Sequence, residues 1–243
     1  MAIAAKTFAG KVNLDSTAST LNVPFVTASG DAVVVYVAVK SANVTVLSVT
    51  DTAGNVYVKK TSGTSENAVH DYNSNIAGDT VDDLVSYDDA IDAEAWVTVA
   101  SATAASSLTV TLVSGSTCAV AVQSYTGANV AVATAFPQAA FVSLTKGSTP
   151  TNTLTGMTST SYLSACYASC VGLNQLTPRA GTLRQEVTAS SADKSITLVV
   201  VDNIVTGTSS TVTLAPASEI DSPDGISEPV PEGVAVCCVE VHV

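Results

Sequence analysis

The stretch VVVYVAVKSANVTVLSVTDTAGNVY, residues 33–57, decides the fold. Its first seven residues are apolar and five of them are valine, whose branched Cβ restricts χ1 and suits a pleated surface better than a helix. A polar break at 40–43 separates this run from a second at 44–50, again rich in valine and threonine. Asp51, Thr52, Ala53, Gly54 and Asn55 then bring turn chemistry, because Asp and Asn side chains bond to nearby backbone and glycine accepts positive φ. The segment predicts a hairpin turn between two strands. Oxygen ligands at Asp51 and Asn55 around a glycine also suit calcium, but the distal bidentate glutamate of an EF-hand loop is absent.

Outward from this core, strand signals recur at 32–39, 44–50, 56–60, 95–100, 108–113 and 118–125. A second series follows at 161–171, 182–187, 195–205, 211–214 and 233–243. Many short strands punctuated by Gly, Asn, Asp and Ser read as an all-β sandwich of jelly-roll or immunoglobulin-like type. The two series echo each other: WVTVASATAASSLTVTL at 96–112 runs beside LVVVDNIVTGTSSTVTL at 198–214, and each leads to a Val/Ala strand. The expected organisation is therefore two related halves, 1–130 and 151–243, joined by 131–150, with the halves packed together or standing as two small β domains.

Composition narrows the function classes. The chain has 243 residues, of which 47% are hydrophobic, enough to bury a sizeable core and to exclude a disordered acidic tail. Its formal net charge is −12, and the nine Lys and Arg are scattered, so the basic footprint of a nucleic-acid binder is missing. No apolar run reaches the ~18 residues of a membrane helix. Residues 1–10 lack the apolar core of a signal peptide, which predicts synthesis in the cytoplasm without Sec export. Five cysteines, Cys118, Cys166, Cys170, Cys237 and Cys238, form no CxxC pair and read as small core hydrophobes rather than zinc ligands.

Catalytic constellations are missing. A serine hydrolase needs a histidine base, and only His70 and His242 exist, with no GxSxG elbow. The acidic stretch 61–92, with Asp71, Asp79, Asp82, Asp83, Asp88, Asp89 and Asp92, reads as a long loop. Asp82, Asp83, Asp88 and Asp89 are the calcium candidates within it, and no other cofactor is expected. Trp96 reads as a core anchor. Tyr57, Tyr72 and Tyr87 are the aromatic candidates for a shallow sugar site. Residues 219–232, with three prolines, read as an exposed linker.

The block at 33–57, followed by AWVTVA around Trp96, LTVTL at 108–112 and AVAVQSYTG ending in Tyr125 and Gly127, resembles a β-sandwich module of phage structural and bacterial extracellular proteins. The resemblance implies a scaffold and brings no catalytic residues. With no export signal expected, it points to a virion: a non-enzymatic bacteriophage protein, foremost a capsid decoration or cement protein that binds the major capsid protein or other virion subunits. Such a protein would be a homo-oligomer, as a trimer, binding neither nucleic acid nor membrane. The segment 1–12 alternates apolar and polar, so Met1, Ile3, Ala5 and Thr7 are the expected interaction residues of a strand given to a partner. The competing readings are a fibre or tail component and an exported, extracellular carbohydrate-binding or adhesive module.

Overall fold

The structure is a computed structural model, and it describes residues 3–66, 90–101, 105–128, 131–144, 151–157, 161–169, 177–191, 194–215 and 234–242. It is all-β, with every strand pairing antiparallel.

Eight strands build the first half: β1 (Ala4–Asn13), β2 (Thr20–Pro24), β3 (Ala32–Val39), β4 (Val46–Asp51), β5 (Val58–Glu66), β6 (Ala90–Val99), β7 (Ser107–Leu112) and β8 (Cys118–Thr126). A single-turn helix, α1 (Val132–Ala135), precedes the second eight. These are β9 (Ala139–Leu144), β10 (Thr151–Thr155), β11 (Tyr162–Ser169), β12 (Thr177–Ala180), β13 (Thr182–Ser191), β14 (Lys194–Ile204), β15 (Ser209–Ala215) and β16 (Val234–Val241). The first half forms a five-stranded sheet, β1-β8-β3-β6-β5, and a three-stranded sheet, β2-β7-β4. The second half forms β9-β16-β11-β14-β13 and β10-β15-β12. Adding eight to each strand number of the first half reproduces the second, so the topology is duplicated. Each half has the jelly-roll order, strands 1-8-3-6 facing 2-7-4, with the fifth strand added beside the sixth.

The four sheets stack as layers, three-five-five-three. One core, with Val33, Val35, Val37, Leu108 and Val110, lies between the first half's two sheets. Another, with Leu163, Tyr167, Val199, Val201 and Val212, fills the second half. The third lies between the two five-stranded sheets and joins the halves. This layering explains the apolar runs. β3 and β11 are buried at all eight positions, because alternate side chains enter different cores. β2 and β10, which lie in outer sheets, alternate exposed and buried.

The middle seam mixes many small residues, Ala32, Ala38, Ala93, Ala95, Ala119, Ala121, Cys166, Ala168, Ala235 and Cys237, with larger ones such as Tyr36, Tyr125, Tyr162, Ile196 and Leu198. Across it β1 lies against β13 and β5 against β9, while β8 meets β14 and β6 meets β16. Each contact has its mate under exchange of the halves, the pattern of a two-fold, self-complementary interface. Glycines admit side chains at both borders: a Cβ on Gly63 would collide with the Phe141 ring, and one on Gly10 with Gln185 and Val187.

Several elements differ from expectation. β9 lies inside 131–150, read from the sequence as a connection, because Phe141 and Ala139 pack on the seam while Ala140 and Val142 pack on the second half's core. The acidic stretch read as irregular from 61 contributes β5 up to Glu66, and β6 already begins at Ala90, so Asp92 is a strand residue. The turn at 51–55 is not a hairpin: β4 pairs with β7 and β5 with β6, so it arches between sheets. Met1 is outside the described residues. Ile3 is buried in the seam core, and Ala5 pairs with Tyr125 within the chain's own sheet. Thr7 lies at the irregularity in that same pairing. Among the described residues, no helix is long and apolar enough to cross a membrane.

The seam makes a direct test. Gly63→Ala should destabilise the protein by about 1 to 3 kcal/mol through overpacking. Adding Phe141→Ala should make the pair of changes less costly than their sum, measured as a coupling energy by urea unfolding of both singles and the double.

Candidate functional site

The described polar chemistry gathers in three places, each built by strand geometry. On β6, Asp92, Glu94 and Trp96 are two residues apart and therefore share a face. That face looks toward the first half's outer sheet, where Trp96 belongs to the core. Glu94 is fully buried and accepts three donors. Its Oε1 takes the Val46 N–H at 2.9 Å, and its Oε2 takes Trp96 Nε1 at 2.7 Å and Lys59 Nζ at 2.8 Å. Lys59 Nζ also sits 5.3 Å from the centre of the Trp96 ring, in cation–π range. Glu94 thus ties β4 of the outer sheet to β5 and β6 of the inner one.

Asp92 is 4% exposed, receives Thr64 Oγ1 at 3.4 Å, and its Oδ2 finds no donor. A carboxylate only accepts, so two facing carboxylates leave an oxygen unsatisfied; a proton on one makes it a donor to the other. Burial, with the charge of Glu94 and the hydrogen bond to it, pushes the Asp92 carboxyl up to about 7, against the opposing pull of Lys59 and Thr64. Asp92 can therefore hold and release a proton near neutral pH.

The second cluster crosses the seam. Tyr36 OH donates to Ser164 Oγ at 2.8 Å, and Gln123 Nε2 donates to both Tyr125 OH and Ser164 Oγ. Tyr125 OH donates to Asp202 Oδ2 at 3.3 Å, and Arg184 Nε to Asp202 Oδ1 at 2.7 Å. Burial raises the Asp202 carboxyl, with Arg184 drawing it back down. Arg184 also lies over the Phe8 ring, 5.7 Å from its centre. Three residues of one half and three of the other are thereby joined in a polar strip within a largely apolar interface.

The third is the arch at 51–55. Asp51 accepts four bonds: Oδ1 from the N–H groups of Ala53 and Asn55, both at 3.0 Å, and Oδ2 from Asn55 Nδ2 at 2.7 Å and Tyr57 OH at 2.9 Å. Asn55 Oδ1 then takes the Ser101 N–H at 2.7 Å, and Gly54 supplies the positive φ, +75°. The oxygens weighed for calcium are used by the chain's own donors.

Of the other residues singled out in the sequence, Asp82, Asp83, Asp88, Asp89, Tyr72, Tyr87, His70 and Cys170 lie outside the described residues. His242 is described, with Nδ1 3.3 Å from the Thr134 carbonyl at α1. Tyr57 is buried and serves the arch, and Trp96 is buried beside Glu94. Among the described residues, no group of three or more His, Cys, Asp or Glu could hold a metal ion. Sequence reasoning missed Glu94, Asp202 and Arg184. For Glu94 and Asp202 the available signal was a charge inside an otherwise apolar strand, AIDAEAWVTV and KSITLVVVDNI, whereas Arg184 sits in the polar strand TLRQEVTASS and carried no such signal.

Two measurements follow. Between the ordinary aspartate value of ~3.9 and about 7, the folded chain binds more protons than the unfolded one, so Asp92 makes stability fall as pH rises through that window. Asp92→Asn should remove on the order of 2 to 4 kcal/mol of that fall, read from unfolding free energies at pH 4 and pH 8 beside the parent. Asp51→Ala should cost about 2 to 4 kcal/mol by orphaning buried donors, and the parent's melting temperature should be the same in calcium and in EDTA.

No family model, curated protein or solved structure matches the chain, so its functional reading rests on its own residues.

Proposed function

We propose that the protein is a non-enzymatic structural component of a virus particle, a capsid decoration protein that oligomerises and bridges neighbouring major capsid subunits. One observation carries this reading: among the described residues both outer sheets present rows of hydroxyl side chains to the outside, while the buried charges tie layers together inside. On the first half's outer sheet the outward positions include Thr20, Asn22, Ser48, Thr50, Thr109 and Thr111. Thr109 Oγ1 donates to Asn22 Oδ1 at 2.7 Å. On the second half, Thr151, Thr153 and Thr155 are exposed, and Thr153 pairs with Thr211 at 2.8 Å.

A plate of this kind offers two broad faces that hydrogen-bond without strong charge, held rigid by three cores. The net charge of −12 keeps such a surface soluble and discourages binding to nucleic acid. Both properties suit a protein that coats a particle by shape and hydrogen bonding.

The test is the solution mass by light scattering, with and without EDTA, followed by co-sedimentation with empty phage capsids. A stable trimer indifferent to EDTA that pellets with capsids is the expected result. A monomer that gains partners or stability only with calcium would overturn the proposal in favour of a calcium-supported adhesive module.

A further inference from the structure

Four cysteines fall among the described residues, and all four are free and buried. Cys118 points into the first half's own core and Cys238 into the second half's. Cys166 and Cys237 differ. They stand directly opposite each other on the antiparallel strands β11 and β16, and both point into the seam between the halves. The Cys237 thiol donates to the Ala93 carbonyl at 3.2 Å, and the neighbouring Cys166 thiol adds to the burial that raises it. Opposed residues on antiparallel strands have Cα atoms ~4.5 to 5.5 Å apart, inside the ~4.4 to 6.8 Å range of disulfides. Their Cβ atoms, at ~4.5 to 5.5 Å, need to approach by about 1 Å at most.

We propose that Cys166 and Cys237 form a cross-strand disulfide when the chain folds, or locally opens, in the presence of a small disulfide oxidant such as oxidised glutathione. One cysteine thiolate attacks a glutathione sulfur, forming a mixed disulfide and expelling one glutathione thiolate. The second cysteine thiolate then attacks the protein-side sulfur and expels the other. Two protein thiols lose two protons and two electrons, and one oxidised glutathione becomes two reduced molecules. No other pairing among the described thiols is open: Cys237 and Cys238 are neighbours on one strand and face opposite ways, and Cys118 lies in another core. Since the thiolate is the nucleophile and burial raises the Cys237 thiol, exchange within the folded protein is slow, and the bond forms chiefly before the halves close. It ties the centre of the second inner sheet to the last strand. The proposal is independent of what the protein binds.

The full chain would be unfolded, refolded in a glutathione redox buffer, alkylated and mapped by non-reducing proteolysis and mass spectrometry. The expected result is a peptide pair joining Cys166 to Cys237, an intact mass lower by about 2 Da, and a thermal midpoint several degrees above that of the reduced protein. Cys237→Ala should abolish the link and the gain in midpoint, whereas Cys238→Ala should keep both. Full alkylation of Cys166 and Cys237 after oxidising refolding, or a link through Cys170 or Cys238 instead, would overturn the proposal. If Cys237→Ala fails to fold, the peptide map of the parent chain decides alone.

Discussion

Burial of both faces of the two inner sheets is the constraint on which the rest of the structure depends. β3 offers valines to one side and Ala32, Val34, Tyr36 and Ala38 to the other, so a single covering sheet would leave half of it in water. At about 1.5 to 3 kcal/mol for each large apolar side chain buried, that exposure is not sustainable across five strands. The second inner sheet faces the same requirement, and each satisfies it by covering the other. The small residues of the seam allow that approach, and glycine at Gly10 and Gly63 opens its borders to Val187 and Phe141.

Charges placed inside this stack need partners, and the partners they find hold the layers in register. Glu94 joins β4 to β5 and β6 through three donors. Asp51 organises the arch that carries the chain from one sheet to the next. Asp202, held by Arg184, accepts from Tyr125 across the seam and connects the halves. Such groups contribute little net stability compared with apolar burial, because desolvation offsets much of the attraction. Their directional bonds do discriminate against shifted packings of largely interchangeable Val and Ala side chains. Asp92 keeps an oxygen without a donor, and burial beside Glu94 ties its protonation to the fold.

The duplicated topology relates architecture to function. The two halves meet as the subunits of a two-fold dimer do, yet they are one chain, so their association does not depend on concentration. The polar strip is not repeated by symmetry: Ser164 and Asp202 pair across the central strands of the second half, while the directly paired positions Val34 and Val97 of the first half carry valines. The two halves therefore differ inside the seam while keeping the same topology. The result is one stack of four sheets around three cores.

The sequence by itself determined the all-β class, most of the strands and the repetition, since Val/Thr runs punctuated by Gly, Asn and Asp carry a local signal that survives without context. It also placed Asp51 to Asn55 in a turn and Trp96 in a core. Only the tertiary structure decided that there are four layers, that the turn arches between sheets, and that residues 139–144 complete a sheet. A strand's hydrogen-bonding partner is set by residues distant in the chain, and a run such as VVVYVAV reads the same beneath one sheet or between two. The candidate sites were concealed for the same reason: Glu94, Lys59 and Val46, or Tyr125, Asp202 and Arg184, are far apart in sequence and come together only when the sheets stack.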